Sequence, residues 1–178
     1  VENITYEEKA IIIVKADVDG EYQVYVDETP YTAIVQNGIG NVTVDGLTVG
    51  THTANVTVTN GNYSGTDSTT FNVAIKQTNA KVTVENITYG TNANIIIKAD
   101  VDREYLVYVD NTPYTVHVKN GSASFTVGGL TVGDHAANVT VTDGNYSGTD
   151  STTFNVSKAK SEVDIEFANE TTGAPLLE

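Results

Sequence analysis

The segment "DGNYSGTD" at residues 143–150 places side-chain oxygens at Asp143, Asn145 and Ser147, with Gly148 next in line. Those are the first, third, fifth and sixth positions of a calcium-wrapping loop. The pattern stops short of a site. The bidentate acid needed at the twelfth position is Phe154, and the earlier copy of the segment opens on Asn60 instead of an acid. Gly, Asn and Ser at this density also suit a plain turn, whose backbone angles favour them. The paired acids Asp17/Asp19 and Asp100/Asp102 invite metal or acid–base chemistry. No Glu, His or nucleophile stands near enough in sequence to complete a site, so they read as carboxylates capping a turn in solvent at the end of a strand. His52 and His135 are copies of each other and His117 stands alone, so no Ser-His-Asp arrangement emerges. The chain has no Cys, which removes a thiol nucleophile, a disulfide framework and Cys-ligated metal. The expectation is a protein that is not an enzyme, with no catalytic residue, no metal and no cofactor.

Two further kinds of chemistry remain. Asn-x-Ser/Thr triplets occur at Asn3, Asn41, Asn55, Asn62, Asn86, Asn120, Asn138, Asn145, Asn155 and Asn169. Composition alone would give about 3 or 4, so these stand as candidate glycosylation sites. Part of the excess has a simpler origin, because residues i and i+2 of a strand share a face and an outward Asn is readily followed by an outward Thr. Asn41, Asn55 and Asn138 are expected on the solvent side of strands, and Asn62 and Asn145 in turns. The second feature is a pair of tyrosines, Tyr25 and Tyr108, expected to point outward near Thr57 and Thr140. An exposed ring beside Thr and Asn can stack on a sugar, although an outward Tyr is also simply a good strand former.

The elements that hold these residues are written twice. Sliding the chain by 83 residues puts Val1 on Val84 and Val73 on Val156 without a gap. Roughly three quarters of the aligned positions are identical, which is a tandem duplication. Identity between the copies therefore marks no residue as functional. Repeat 1 covers 1–75 and repeat 2 covers 79–158. Residues 159–178 form either the truncated start of a third repeat, since "SEVDIEF" resembles "AKVTVEN" at 80–86, or an added tail. The linker "AIKQTNA" holds neither Gly nor Pro, which argues against a flexible tether.

Within a repeat the hydrophobic period is 2. In repeat 2, Val82 and Val84 mark a first strand, Ala93 to Ala99 a second, Tyr105 to Val109 a third and Tyr114 to Val118 a fourth. Phe125 and Val127 mark a fifth, Ala137 to Val141 a sixth, and Phe154 and Val156 a seventh. "KNGS" at 119–122 carries the Asn-Gly hairpin signal, and Pro113 is expected in the turn between strands three and four. Leu130 is placed at the end of the core and His135 at the following corner. Ile11 and Ile13 cannot face the core together with Ile12 and Val14, so repeat 1 should expose apolar surface. Seven short strands with turns every 8–12 residues define an all-β fold of two tandem immunoglobulin-like seven-stranded β-sandwich domains.

Net charge is -14. Nucleic acid, whose phosphates need Lys and Arg, is excluded as a partner. No apolar run reaches the ~18 residues of a membrane span, so no direct membrane insertion is expected of this stretch.

The stretch from "NITYG" through "NGSASFTV", "GLTVGDH" and "DGNY" resembles the immunoglobulin-like repeats of large adhesin-like cell-surface proteins, most like those of methanogenic archaea. The likeness covers both repeats. This chain departs from that pattern at His52 and His135, where the family more usually shows Tyr, which bears on the corner hydrogen bond and not on the fold. The resemblance implies an exported, extracellular, cell-surface glycoprotein whose stacked modules form a stalk. These modules would act as non-catalytic spacers projecting an adhesive region for cell–cell or cell–surface attachment. Expected partners are adjacent repeats of the same chain and an unknown surface ligand, protein or glycan. The alternative is a carbohydrate-binding module using the Tyr25/Tyr108 face. Some surface modules of this kind carry Lys–Asn isopeptide bonds. Lys15 with Asn72 and Lys98 with Asn155 would be the candidates, but the alternation turns all four outward.

Overall fold

A computed structural model describes residues 1–168. The alternation of apolar residues becomes an alternation of burial. Along β2 (Ala10–Lys15), Ala10, Ile12 and Val14 are buried while Ile11, Ile13 and Lys15 are exposed. Repeat 1 adds β1 (Ile4–Thr5), β3 (Gly20–Val26), β4 (Thr29–Val35), β5 (Ile39–Val44), β6 (Gly50–Val58) and β7 (Thr66–Ala74). The linker carries β8 (Lys76–Gln77). Repeat 2 contains β9 (Ala80–Val84), β10 (Ile87–Thr88), β11 (Ala93–Ala99), β12 (Glu104–Val109), β13 (Thr112–His117), β14 (Ser122–Val127), β15 (Gly133–Val141), β16 (Tyr146–Ser147) and β17 (Thr149–Ser157). The described residues are all-β, with no helix among them.

In repeat 1 a sheet of order β1-β7-β6-β3-β4 faces the pair β2-β5. In repeat 2 the sheet β10-β17-β15-β12-β13 faces the triple β14-β11-β9. Each sandwich closes on its own cluster. One holds Ile12, Val24, Val35, Val44, Phe71 and Val73, and the other Ile95, Ile97, Tyr105, Val107, Val139, Phe154 and Val156. In a constant-type immunoglobulin sandwich the fourth strand joins the sheet of the first, second and fifth. Here β13 pairs with β12 instead, Val109 facing Thr112. Pro113 accordingly lies inside β13, not in the turn before it, and faces Tyr108. Its missing N–H is harmless because β13 is the last strand of its sheet.

The turns follow their residues. Asn37–Gly38 and Asn120–Gly121 all have positive φ, as a type I′ hairpin demands. Asp19 and Asp102 each accept two backbone hydrogen bonds from that turn, Asp102 from Asn120 N at 2.7 Å and from Gly121 N at 2.9 Å. These bonds hold both carboxyls below the usual carboxylate range. The second acid of each expected pair is thus a turn cap. Leu130 packs at the edge of its core as expected, and its counterpart Leu47 does the same in repeat 1.

Adjacent isoleucines of β2 test the burial argument directly. Ile12 is 5% exposed and Ile11 is 54% exposed. Ile12→Ala is expected to cost about 2–5 kcal/mol, and Ile11→Ala less than about 0.5 kcal/mol. Urea unfolding of both variants reads the difference; equal losses would sink the assignment of faces.

Candidate functional site

The segment that first invited a calcium reading does different work in its two copies. In repeat 2, Asp143 Oδ1 accepts from Asn145 N at 3.0 Å and from Asn145 Nδ2 at 3.1 Å. Its Oδ2 accepts from Arg103 Nε at 3.2 Å. The carboxylate is thereby engaged within its own turn, and the backbone bond from Asn145 leads the causes that lower its pKa. The turn closes with Tyr146 N donating to Asp143 O at 3.0 Å, and it turns the Tyr146 side chain toward repeat 1.

There Tyr146 is enclosed. Its hydroxyl donates to Glu7. The Tyr6 ring meets it edge-on, with centroids 5.3 Å apart and planes at 84°. The Arg103 guanidinium carbon stands over the same ring, 5.5 Å from its centroid. Burial, with the Glu7 carboxylate beside the hydroxyl, pushes the Tyr146 pKa up to about 12. Lys76 of the linker donates to the same Glu7, and this bond is the main reason Glu7 stays ionised below its ordinary range. Asn145 completes the contact, its Oδ1 accepting from Val49 N of repeat 1 at 3.1 Å.

The linker is held just as firmly. Lys76 N donates to Asn145 O at 3.0 Å and Thr78 N to Ser147 O at 2.9 Å, which makes β8 and β16 a short parallel pair. Thr78 is buried and its hydroxyl donates to Asp100. Gly148 is required at this point, because a Cβ there would lie 2.6 Å from the Thr78 carbonyl oxygen. Its counterpart Gly65 has nothing within 4 Å. Ile75, at the apolar start of the linker, is exposed, and hydrogen bonds from Lys76 and Thr78 do the fixing.

Glu7 adopts φ 73, the left-handed region that disfavours a side chain, and its counterpart in repeat 2 is Gly90 at φ 90. The conformation is what the turn needs; the carboxylate is what the joint needs. Identity between copies hides this site. Its signal lies in the differences: Glu7 against Gly90, Arg103 against Gly20, and Asp143 against Asn60. Tyr146 is 4% exposed and Tyr63, in an identical stretch, is 53% exposed.

The other expected residues are placed as follows. Tyr25 and Tyr108 point outward, directly across from Asn55 and Asn138, with Thr57 and Thr140 one pair further along the same face. Asn3, Asn41, Asn55, Asn62, Asn86, Asn120, Asn138 and Asn155 are exposed. Asn145 is half-buried with its amide engaged in the joint, contrary to an accessible turn. Asn169 lies outside the described residues. Lys15, Asn72, Lys98 and Asn155 are all exposed.

The histidine corner is made in full by imidazole. His52 Nε2 reaches Thr48 O and its Nδ1 reaches Asp27 Oδ2, both at 2.7 Å. His135 does the same with Thr131 and Asp110. A carbonyl and an ionised carboxylate only accept, so both ring nitrogens must donate and the arrangement fits the imidazolium. Burial opposes the charge on His52, but the bonds to Asp27 and Thr48 prevail and raise its pKa. Asp110 and then Thr131 raise that of His135. The histidine bonds depress Asp27 and Asp110.

No family model matches the chain, and no curated protein matches it. Solved structures do. Fibronectin(III)-like modules of Clostridium thermocellum CbhA align at 15% identity over 93% of this chain and 94% of that chain, with TM-score 0.42. The titin domains z1z2 in complex with telethonin align at 12% identity over 90% of this chain and 93% of that one, with TM-score 0.47. The Yersinia pseudotuberculosis adhesin InvE aligns at 15% identity over 88% of this chain and 56% of that one, with TM-score 0.45. At these values the likeness carries no statement about function, and the description of the fold rests on the sheets themselves.

The histidine pairs set a pH dependence. A raised histidine pKa contributes stability that is complete below the ordinary 6.5 and is lost as pH climbs through the folded value. The depressed acids contribute above the ordinary 3.8 and fail as pH falls through their folded values. The Tm is therefore expected to fall between neutral and alkaline pH. Asp27→Asn with Asp110→Asn should lower the Tm at pH 6 and flatten that fall. A variant with an unchanged pH profile counts against the imidazolium pairs.

Proposed function

We propose that the chain is a pair of tandem immunoglobulin-like sandwich modules, 1–75 and 79–158, serving as a non-catalytic spacer in an adhesin-like protein of the cell surface. The observation that carries this reading is the joint. Two separately cored units are tied by Tyr146, Glu7, Tyr6, Asn145 and Lys76, and the linker between them is hydrogen-bonded on both sides of Thr78. A module whose task is reach gains nothing from a flexible hinge, because each loose joint folds the rod back on itself. The resemblance to adhesin-like repeats and the sequon-rich exposed strands agree with an extracellular setting.

Small-angle scattering tests the spacer. A single globule of this length has a radius of gyration of about 16 Å, and a serial pair should lie well above it. Glu7→Gly installs the residue found in the other copy. It should keep the turn but release Tyr146 and Lys76, broadening the distance distribution while leaving the Tm nearly unchanged, as for an exposed ion pair. A compact wild-type particle refutes the rod.

The second reading is a carbohydrate platform. Tyr25 lines an open groove with Asp27, Glu28, Thr29, Thr53 and Asn55. A glycan array separates the two, because a spacer should bind nothing and Tyr25→Ala with Tyr108→Ala should abolish any signal on a platform.

A further inference from the structure

Two surface features stand side by side on each sandwich. Tyr25 of β3 and Tyr108 of β12 are 41% and 40% exposed on the outward face of the larger sheet. Directly across the strand pair stand Asn55 of β6 and Asn138 of β15, both exposed. Each asparagine opens an Asn-Val-Thr triplet, and the Thr two residues on lies on the same face.

Among the described residues, several other triplets have their asparagine side chains occupied. Asn3 and Asn86 accept from the backbone N–H of Asn72 and Asn155. Asn155 donates its amide to Asp134, and Asn145 is held in the joint. Asn41 faces Ile13, and Asn62 and Asn120 lie in turns. Asn55 and Asn138 combine an unengaged side chain with an aromatic ring across the ladder.

Opposed residues of an antiparallel pair hold their Cβ atoms about 4.5–5.5 Å apart. A sugar joined to the asparagine amide nitrogen therefore begins level with the tyrosine ring. The face of that ring is negative, and the C–H bonds along one side of a pyranose present slight positive charge to it. The surroundings suit an uncharged sugar. Ser68 and Ser151 face the asparagines from the next strand, and Gln23, Thr57 and Thr66 make the neighbouring row in repeat 1. None of these is charged, in a chain of net charge -14. Asp27, one row the other way, is turned into the His52 corner.

We propose that Asn55 and Asn138 carry N-linked oligosaccharides whose first pyranose stacks on Tyr25 and Tyr108. The exposed ring then serves the chain's own sugar rather than a foreign one. Transfer from a lipid-linked pyrophosphate donor forms a bond between the asparagine amide nitrogen and the anomeric carbon of that sugar. The bond from the anomeric carbon to the donor's phosphate oxygen breaks, the lipid pyrophosphate departs, and one amide proton passes to solvent. Because β6 and β15 are inner strands, a sugar pinned here shields the middle of the sheet face. The modification rests on the extracellular setting of the proposed function and not on the spacer role.

Secretion of the full chain from a eukaryotic host that transfers N-glycans tests it, since such a host supplies the donor whatever the native setting. Peptide mass mapping should find Asn55 and Asn138 occupied. After endoglycosidase trimming to one N-acetylglucosamine per site, the Tm should stand about 2–4 °C above that of Asn55→Gln with Asn138→Gln. The gain should persist in Tyr25→Phe with Tyr108→Phe, which keep the ring, and vanish in Tyr25→Ala with Tyr108→Ala. Nuclear Overhauser contacts should join the sugar to the tyrosine ring protons. Asparagines left bare at 55 and 138 overturn the proposal. So does a gain of the same size without the rings, or a trimmed sugar with no contact to them.

Discussion

A strand sends successive side chains to opposite faces, and a sheet built from such strands has one face that must be taken out of water. With no Trp, no Met and four Phe, this chain has few large groups for a core. It meets the constraint by laying two sheets together over Val, Ile and a few rings. Everything else in the molecule is set by where that closure is complete. The three-stranded sheet of repeat 2 covers its partner sheet; the two-stranded sheet of repeat 1 leaves part of its partner in solvent. The turns, the histidine corners and the linker all sit at the ends of strands, where the ladders stop and polar groups need other partners.

The joint shows how one sequence can carry two roles. Tyr63 and Tyr146 stand in identical thirteen-residue stretches, yet one is exposed and the other is the most enclosed side chain between the repeats. The turn that presents them is the same, since Asn60 and Asp143 both accept from the backbone N–H two residues on. What differs is the neighbour. Tyr146 meets Tyr6, Glu7 and Lys76, none of which faces Tyr63. Function at this site belongs to a pair of modules rather than to either one.

Strand positions, the outward Ile11 and Ile13, and the Asn-Gly hairpins were legible because period and turn chemistry are local. The side chosen by β13 was not, because pairing with β12 or crossing to the other sheet is decided by which sheet edge is free. Pro113 was misplaced for the same reason: a Pro near a turn and a Pro on an edge strand look alike in one dimension. The Asp19 and Asp102 caps were anticipated in kind. The role of Asp100, the first acid of its pair, was not: it helps to anchor the linker through Thr78. The imidazolium corners escaped notice because Asp27 and His52 lie far apart in sequence and meet only when β3 and β6 pair. The joint escaped because similarity drew attention to matching residues, while its chemistry lies where the copies differ.

The capped hairpins also bear on how long such a molecule lasts. Asn followed by Gly is the dipeptide most prone to spontaneous ring closure, in which the glycine nitrogen attacks the asparagine side-chain carbonyl and ammonia leaves. At both hairpins that nitrogen already donates to a carboxylate, Gly38 N to Asp19 at 3.0 Å and Gly121 N to Asp102 at 2.9 Å. Attack requires that bond to break and the turn to reopen. The two aspartates that shape the hairpins therefore also slow the chemical ageing of the residues they hold.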